Sequence, residues 1–591
     1  VTGAEKRPVR IANCSGYYGD RFEAAREMVD GGQIDVLTGD WLAELTMFIL
    51  SRDLKKDPRG GYARTFVRQM EAVMGTCLEK GIKVVSNAGG LNPQACADAL
   101  REVAERQGLS PRIAVVAGDD ILPRIADLQA DGHPLAHMDT GAPLGDVVPV
   151  SANAYLGGWA ITEALGRGAD IVVTGRVTDA AVVIGPAAWY HGWERSDWDA
   201  MAGACAAGHV IECGCQATGG NYAFFTEVPG LERPGFPIAE IAADGSAVIT
   251  KHEGTGGAVT VGTVTAQFLY EIEGPRYPNP DVVARFDTVV LEQEGPDRVR
   301  ISGARGEPAP PDVKVSINRH GGYRSGATFG MMGLQIEEKA ALAERQIWAA
   351  FDGGTDHFDV AGSRLRWVSD RTGEFGDIPS AQLSLYVKDA DAAKVARFVR
   401  VVNEMSLSTY AGKFTQSAPS KPTAYAVHWP ALLPATLCSA QVEFDGETFE
   451  VSAVTPAVTA GEIPAGSLPP REDHGPTRPS PLGAIVAARS GDKGGNANLG
   501  LWVGRDEQWA WLCHTLTTEA FVELYPEFAG YPIDRFVFPN IRGLNFVIRG
   551  LLGEGVASSV RYDPQAKSLG EVVRARVLDI PVELLPEGGP A

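Results

Sequence analysis

At 591 residues the chain is too long for a single hydrophobic core, so two or three domains are expected. With 53 Lys+Arg against 74 Asp+Glu the net charge is -21, which excludes a general affinity for nucleic acid or an anionic membrane surface. Eight scattered cysteines, an opening VTGAEKRPVR without an apolar leader core, and no apolar run of about 18 residues predict a soluble, cytoplasmic, thiol-reduced protein.

In chain order, the same grammar recurs five times: a short apolar run that ends abruptly in polar residues, followed by a helical pattern. It occurs in RIANCSGYYGD (Arg10 to Asp20), DVLTGDWLAE (Asp35 to Glu44), KVVSNAGG (Lys83 to Gly90), RIAVVAGDD (Arg112 to Asp120) and DIVVTGRVTD (Asp170 to Asp179). This alternation predicts an α/β domain with a doubly wound, mostly parallel sheet. In such a sheet the carboxyl ends of the strands share one edge, where ligands bind. The candidate site residues are therefore Asn13, Cys14, Ser15, Gly16, Asp40, Asn87, Gly89, Gly90, Asp119, Asp120, Arg176, Thr178 and Asp179.

Each segment carries a local reading. The Asn13 to Asp20 loop is either an anion cradle of free backbone N–H groups or an ordinary turn, with Asp20 as N-cap and Gly31 as stop. Asp40 and Glu44 share a helix face if a helix begins at Gly39. Asn92, Pro93 and Gly108 bracket the clearest helix. His133, His137 and Asp139 could serve a metal, but Pro134 and the flanking glycines favour a surface loop. SANAYLGGWAITEALGRG reads as helix. His209, Cys213 and Cys215 offer either zinc ligands or, at Cys213, a nucleophile; neither pattern is specific, and no metal set is assigned. Gly219, Gly220 and Asn221 follow as substrate-binding candidates.

From about Ala247 the alternation of Val, Thr, Phe and Tyr predicts a β-rich module over 236–330. Gly256 and Gly257 suit close approach of a ligand or another strand, and no dinucleotide fingerprint is present. Residues 331–455 read as mixed α/β, with a helix from Ile336 to Phe351. Prolines from Pro456 to Pro481 mark a linker. Beyond it, 482–586 reads as a detached α+β domain with strands at Arg535 to Pro539, Leu544 to Ile548 and Val573 to Val577. Its SGDKGGN turn could receive an anion at Lys493.

The IANCSGYYGDR, LTGDWLAE, SNAGGLNP, VVTGRVTDAA, ECGCQATGGN and ARSGDKGGNANLG motifs together resemble the AtuA, or acyclic terpene utilisation, family over nearly the whole chain. The resemblance implies a main domain at 8–455 (an α/β part over 8–235) and a ferredoxin-like C-terminal domain. It also implies catabolism of terpenoid or other branched acyl-CoA thioesters beside acyl-CoA carboxylases and hydratases. The leading expectation is a lyase or hydratase on an acyl-CoA or related carboxylate, needing no cofactor. Asp40, Asp119, Asp120 and Asp179 would act as acid and base, and Arg176 would hold an oxygen. The alternatives are a noncatalytic acyl-CoA-binding scaffold for a carboxylase, or a cysteine-dependent acyltransferase or hydrolase through Cys14 or Cys213. A homo-oligomer is expected from size alone.

Overall fold

The computed structural model describes residues 6–368, 378–453 and 468–586, and the first part of the proline-rich stretch, 454–467, lies outside them. The chain divides into two compact units. The larger comprises Val1–Asn318, His428–Val556 and Asp563–Ala591, and the smaller comprises Arg319–Val427 and Ala557–Tyr562.

The larger unit is built on an eleven-stranded mixed sheet. Its strands include β1 (Val9–Asn13), β2 (Val36–Gly39), β3 (Lys83–Ser86), β4 (Ile113–Ala117) and β6 (Ile171–Thr174), which lie side by side in the order β1-β2-β3-β6-β4 and are all parallel. These are the five segments with polar exits. The flanks are antiparallel. β7 (Pro237–Ile241) pairs with β1, β8 (Ala247–Lys251) pairs with β7, and Ala440–Phe444 pairs with β4. The sheet is therefore parallel only at its centre.

Burial on both faces explains the unbroken apolar runs. On one face Val9, Ile11, Val85, Val116 and Val172 meet α6 (Trp159–Gly166), α7 (Ala181–His191) and α8 (Trp198–Ile211). On the other, Ala12, Val84, Val115 and Val173 meet α1 (Ala24–Asp30), α3 (Arg64–Lys80) and α4 (Pro93–Gln107). α3 presents Phe66, Met70, Val73 and Cys77 at a spacing of three to four and stops at Gly81, in the left-handed region at φ 68°. At α4 the Asn92 side chain accepts from the Ala95 N–H, and Gly108 ends the helix at φ 67°.

Several local expectations are corrected. α2 spans Glu44–Lys56, so Asp40 precedes the helix instead of sharing a face with Glu44. Asp20 caps no helix; its carboxylate accepts from the Gly16 and Arg21 N–H groups within the loop. The SANA segment belongs to strand β5 (Pro149–Ala154). Val261–Phe268, inside the supposed β-rich module, is helix α9, because Thr260 and Thr263 form a reciprocal capping box that outweighs β-branched propensity. Thr477–Pro481 is a strand paired with Val577–Pro581, an edge pairing that tolerates proline, and Leu569–Arg574 is helical where a last strand was expected.

The C-terminal residues form a four-stranded antiparallel sheet in which Ala487–Lys493 and Asn496–Trp502 make a hairpin. Its turn is only Gly494 and Gly495, with Gly494 at φ 60°, so Ser490 to Lys493 are strand residues. This sheet packs within the larger unit instead of standing apart. Arg489 donates to Gln216, and Asn498 and Asn545 donate to the Ile272 carbonyl. The smaller unit pairs Tyr323–Met332 with Ser380–Asp389 and the latter with Val360–Val368, and its core includes Phe329, Ile347, Leu385 and Phe398.

Candidate functional site

The parallel strands deliver polar side chains to one edge. After β2, Asp40 accepts at Oδ1 from the Leu42 N–H at 3.0 Å and from Nδ2 of Asn87, which follows β3, at 2.6 Å. Oδ1 of Asn87 in turn accepts from the Trp41 N–H, which fixes its amide orientation. After β6, the buried Arg176 pairs with Asp179 at 2.9 Å, and its guanidinium lies 4.1 Å over the Tyr155 ring. After β1, Asn13 donates to the Glu212 carbonyl, tying the strand end to the close of α8. Glu212 follows an almost wholly buried helix, where burial and the helix's negative end both oppose a charge.

One carboxylate oxygen each from Asp40, Asp179 and Glu212 lie within 4.8 Å of one another. Burial, then Asp179, pushes the Asp40 carboxyl well above the ordinary range against the pull of Arg176. Burial, then Asp179, Glu271 and Asp40, does the same to Glu212. Burial opposes the charge of Arg176, but Tyr155, Asp179, Asp40 and Glu44 outweigh it and keep the group cationic.

The C-terminal hairpin completes the surroundings. A Cβ at Gly491 would stand 2.2 Å from the Tyr270 ring, so only glycine lets the strand seat there. The next residues, Asp492 and Lys493, then reach the acidic group. The Lys493 ammonium acts on Glu212 and Glu271 through its charge, lies 5.9 Å from the Tyr277 ring, and makes no hydrogen bond or ion pair among the described residues. Burial and then Glu271 push Asp492 up to about 7. Glu271 itself takes a left-handed φ of 56°, held by its N–H donating to Asn498. Beside this group Glu44 faces Lys314 at 3.3 Å, Tyr155 at 3.4 Å and His428 at 3.9 Å. Burial raises the Glu44 carboxyl, yet Lys314 and Arg176 hold it below the usual carboxylate range. Burial pushes His428 down to about 4, hence neutral.

A family model described as acyclic terpene utilisation family protein AtuA matches residues 9–444, and one for the AtuA ferredoxin-like domain matches 480–579. The chain belongs to the AtuA family. Membership implies a role in acyclic terpene utilisation and makes the C-terminal sheet the family's ferredoxin-like domain. No curated protein and no solved structure matches the chain. Among the described residues no helix is long and apolar enough to cross a membrane.

Of the residues expected at the site of this AtuA protein, Asn13, Asp40, Asn87, Arg176, Asp179 and Lys493 converge. Asp119 is instead a strut, its Oδ2 accepting from the Arg176 N–H and from Asn153, both at 2.8 Å. Asp120 is exposed and receives the Leu122 N–H in a turn. The Asn13 to Asp20 loop is no anion cradle, since the N–H groups of Cys14, Ser15 and Gly16 are taken by Thr38, Asn13 and Asp20. Gly16 is needed because a Cβ there would lie 2.5 Å from the Cys213 carbonyl carbon. Gly89 and Gly90 similarly approach the Thr174 carbonyl and Leu50.

Gly219 and Asn221 adopt left-handed turn conformations at φ 109° and 59°, and Gly220 abuts the Cys215 carbonyl. Gly256 and Gly257 approach the Gly230 and Thr218 carbonyls. The Thr178 hydroxyl is buried without a hydrogen bond. Burial pushes the thiols of Cys14 and Cys213 up, the opposite of thiolate activation. His137 stacks edge-on against Trp429, and Asp139 accepts from Asn496, so neither joins a metal cluster. Glu212, Glu271, Lys314, His428 and Asp492 were not singled out as site residues; an acid closing the apolar run WDAMAGACAAGHVI was the one available signal for Glu212.

Proposed function

We propose that this AtuA-family protein is an enzyme of acyclic terpene or branched-acyl degradation, a lyase or hydratase acting on an acyl-CoA or related carboxylate. The observation that carries the reading is the convergence of Asp40, Asp179 and Glu212 beside Lys493, whose ammonium has no hydrogen bond or ion pair among the described residues. Lys493 supplies a charge-assisted donor for a carboxylate or thioester oxygen. The carboxyl groups around it supply the proton donor and acceptor that adding or removing water, or breaking a carbon–carbon bond beside a carbonyl, requires. The seating of the C-terminal hairpin inside this site speaks against a free docking module, and the raised thiols speak against a cysteine nucleophile.

The test is incubation with a panel of branched and unsaturated acyl-CoAs and their free acids, followed by mass spectrometry of the small molecules. Gain or loss of one water, or cleavage, is expected. Retention of acyl-CoA without conversion would favour the scaffold reading for an acyl-CoA carboxylase.

A further inference from the structure

The three carboxylates share a pattern that their number alone does not convey. Each turns one oxygen toward a neighbouring polar group, and each has at least one oxygen without a hydrogen bond among the described residues. Asp40 receives both Asn87 and Leu42 on Oδ1, leaving Oδ2. Asp179 sets Oδ1 against Arg176 as an ion pair at 2.9 Å with no hydrogen bond, leaving Oδ2. Glu212 turns Oε1 toward Nδ1 of His209 at 3.5 Å, and its Oε2 is buried with no partner on a side chain only 5% exposed. Ligands with a second shell that fixes one oxygen and presents the other are characteristic of metal sites.

We propose that Asp40, Asp179 and Glu212 bind one hard divalent cation, Mg²⁺ or Mn²⁺. Oxygens sharing such an ion at about 2.1 Å stand roughly 3 Å apart when adjacent and roughly 4 Å when opposite. The three ligand atoms lie within 4.8 Å of one another, so small side-chain adjustments bring them onto one ion. The donor set is all oxygen with three formal negative charges, which selects the hard cations over zinc or copper. Among the described residues only Arg176 offsets this charge by direct contact, and it contacts Asp179 alone of the three. A buried carboxylate group of this kind needs either protons or a cation for neutrality. The site departs from the sequence expectation of no metal. The ion's use, as an electrophile toward a carboxylate or thioester oxygen beside Lys493, rests on the functional reading above.

The experiment dialyses the full chain against EDTA, then titrates Mn²⁺ alone, counting free Mn²⁺ by electron paramagnetic resonance. One bound Mn²⁺ per chain is expected, competed by Mg²⁺, with affinity falling at least about 10-fold in Glu212→Gln and in Asp40→Asn. Each substitution removes a buried like charge, so the metal-free variants unfold at or above the wild-type temperature, and lost binding is then not lost folding. Should either variant fail to fold, Asp179→Asn takes its place. No retained Mn²⁺, or retention unchanged in the folded variants, overturns the proposal. Because no acyl compound is present, the outcomes separate. Turnover by metal-free protein would remove the ion's role and leave the enzyme reading, whereas a loaded protein inert toward every acyl compound would do the reverse.

Discussion

Asp119 lies among the strand-end acids, but the structure makes it a strut, and the two roles predict different behaviour with pH. The residue is 3% exposed, and burial pushes its carboxyl up to about 6 from the usual 3.8 despite the Arg176 and Asn153 donors. The folded form therefore binds the proton more tightly than the unfolded form. Stability from this source is complete below about pH 3.8 and is lost as pH rises through about 6. At 1.36 kcal/mol per pH unit, the interval between 3.8 and about 6 corresponds to about 3 kcal/mol.

Asn at this position is neutral throughout, and its one amide oxygen can accept from both the Arg176 N–H and Asn153, as Oδ2 does now. Asp119→Asn therefore gains about 3 kcal/mol of stability relative to wild type between pH 4 and pH 7. Calorimetric unfolding of both proteins across this range measures it, and acyl conversion at pH 7 should survive in the variant. A stability gap that stays constant with pH, or abolished conversion in a folded variant, would refute the strut assignment.

Two further substitutions test the surrounding scaffold. Gly16→Ala places a methyl 2.5 Å from the Cys213 carbonyl carbon and 2.8 Å from its Cα, neither of which can rotate away. It should cost about 1–3 kcal/mol in chemical unfolding and depress conversion by displacing the adjoining Glu212; unchanged values would dismiss the contact. Cys213→Ser should retain conversion, and iodoacetamide at neutral pH should leave Cys213 unmodified in the native protein by peptide mass mapping. Rapid native alkylation with inactivation would restore the cysteine mechanism.

The five strand ends were legible because a fully buried parallel strand writes a short apolar run, and its exit is where polar residues become possible. Asp40, Asn87, Arg176 and Asp179 were found by that signal. Asp119 obeys the same signal but turns back to bind backbone and Asn153, a distinction set by side-chain direction rather than by pattern. α9 was hidden because VTVGTVTAQF is β-prone locally, while its helix is secured by the Thr260 and Thr263 cap and by burial.

The acids that complete the site come from distant places: Glu212 from a helix end, Glu271 from a strained loop residue, and Asp492 from a hairpin over 200 residues later in sequence. No spacing rule joins such positions. The glycines of SGDKGGN serve close contact with Tyr270 at Gly491 and a two-residue turn at Gly494 and Gly495.

The central claim is that the strand-end carboxylates and the C-terminal hairpin form one acyl-processing site. Its most direct test is conversion of the branched acyl-CoA panel by wild type and by Lys493→Met, which keeps an unbranched side chain one atom shorter and removes its charge. Losing a charge-assisted hydrogen bond of about 1.5–3 kcal/mol predicts a roughly 10- to 100-fold fall in conversion, with folding intact by calorimetry. Equal conversion by both proteins would contradict the account.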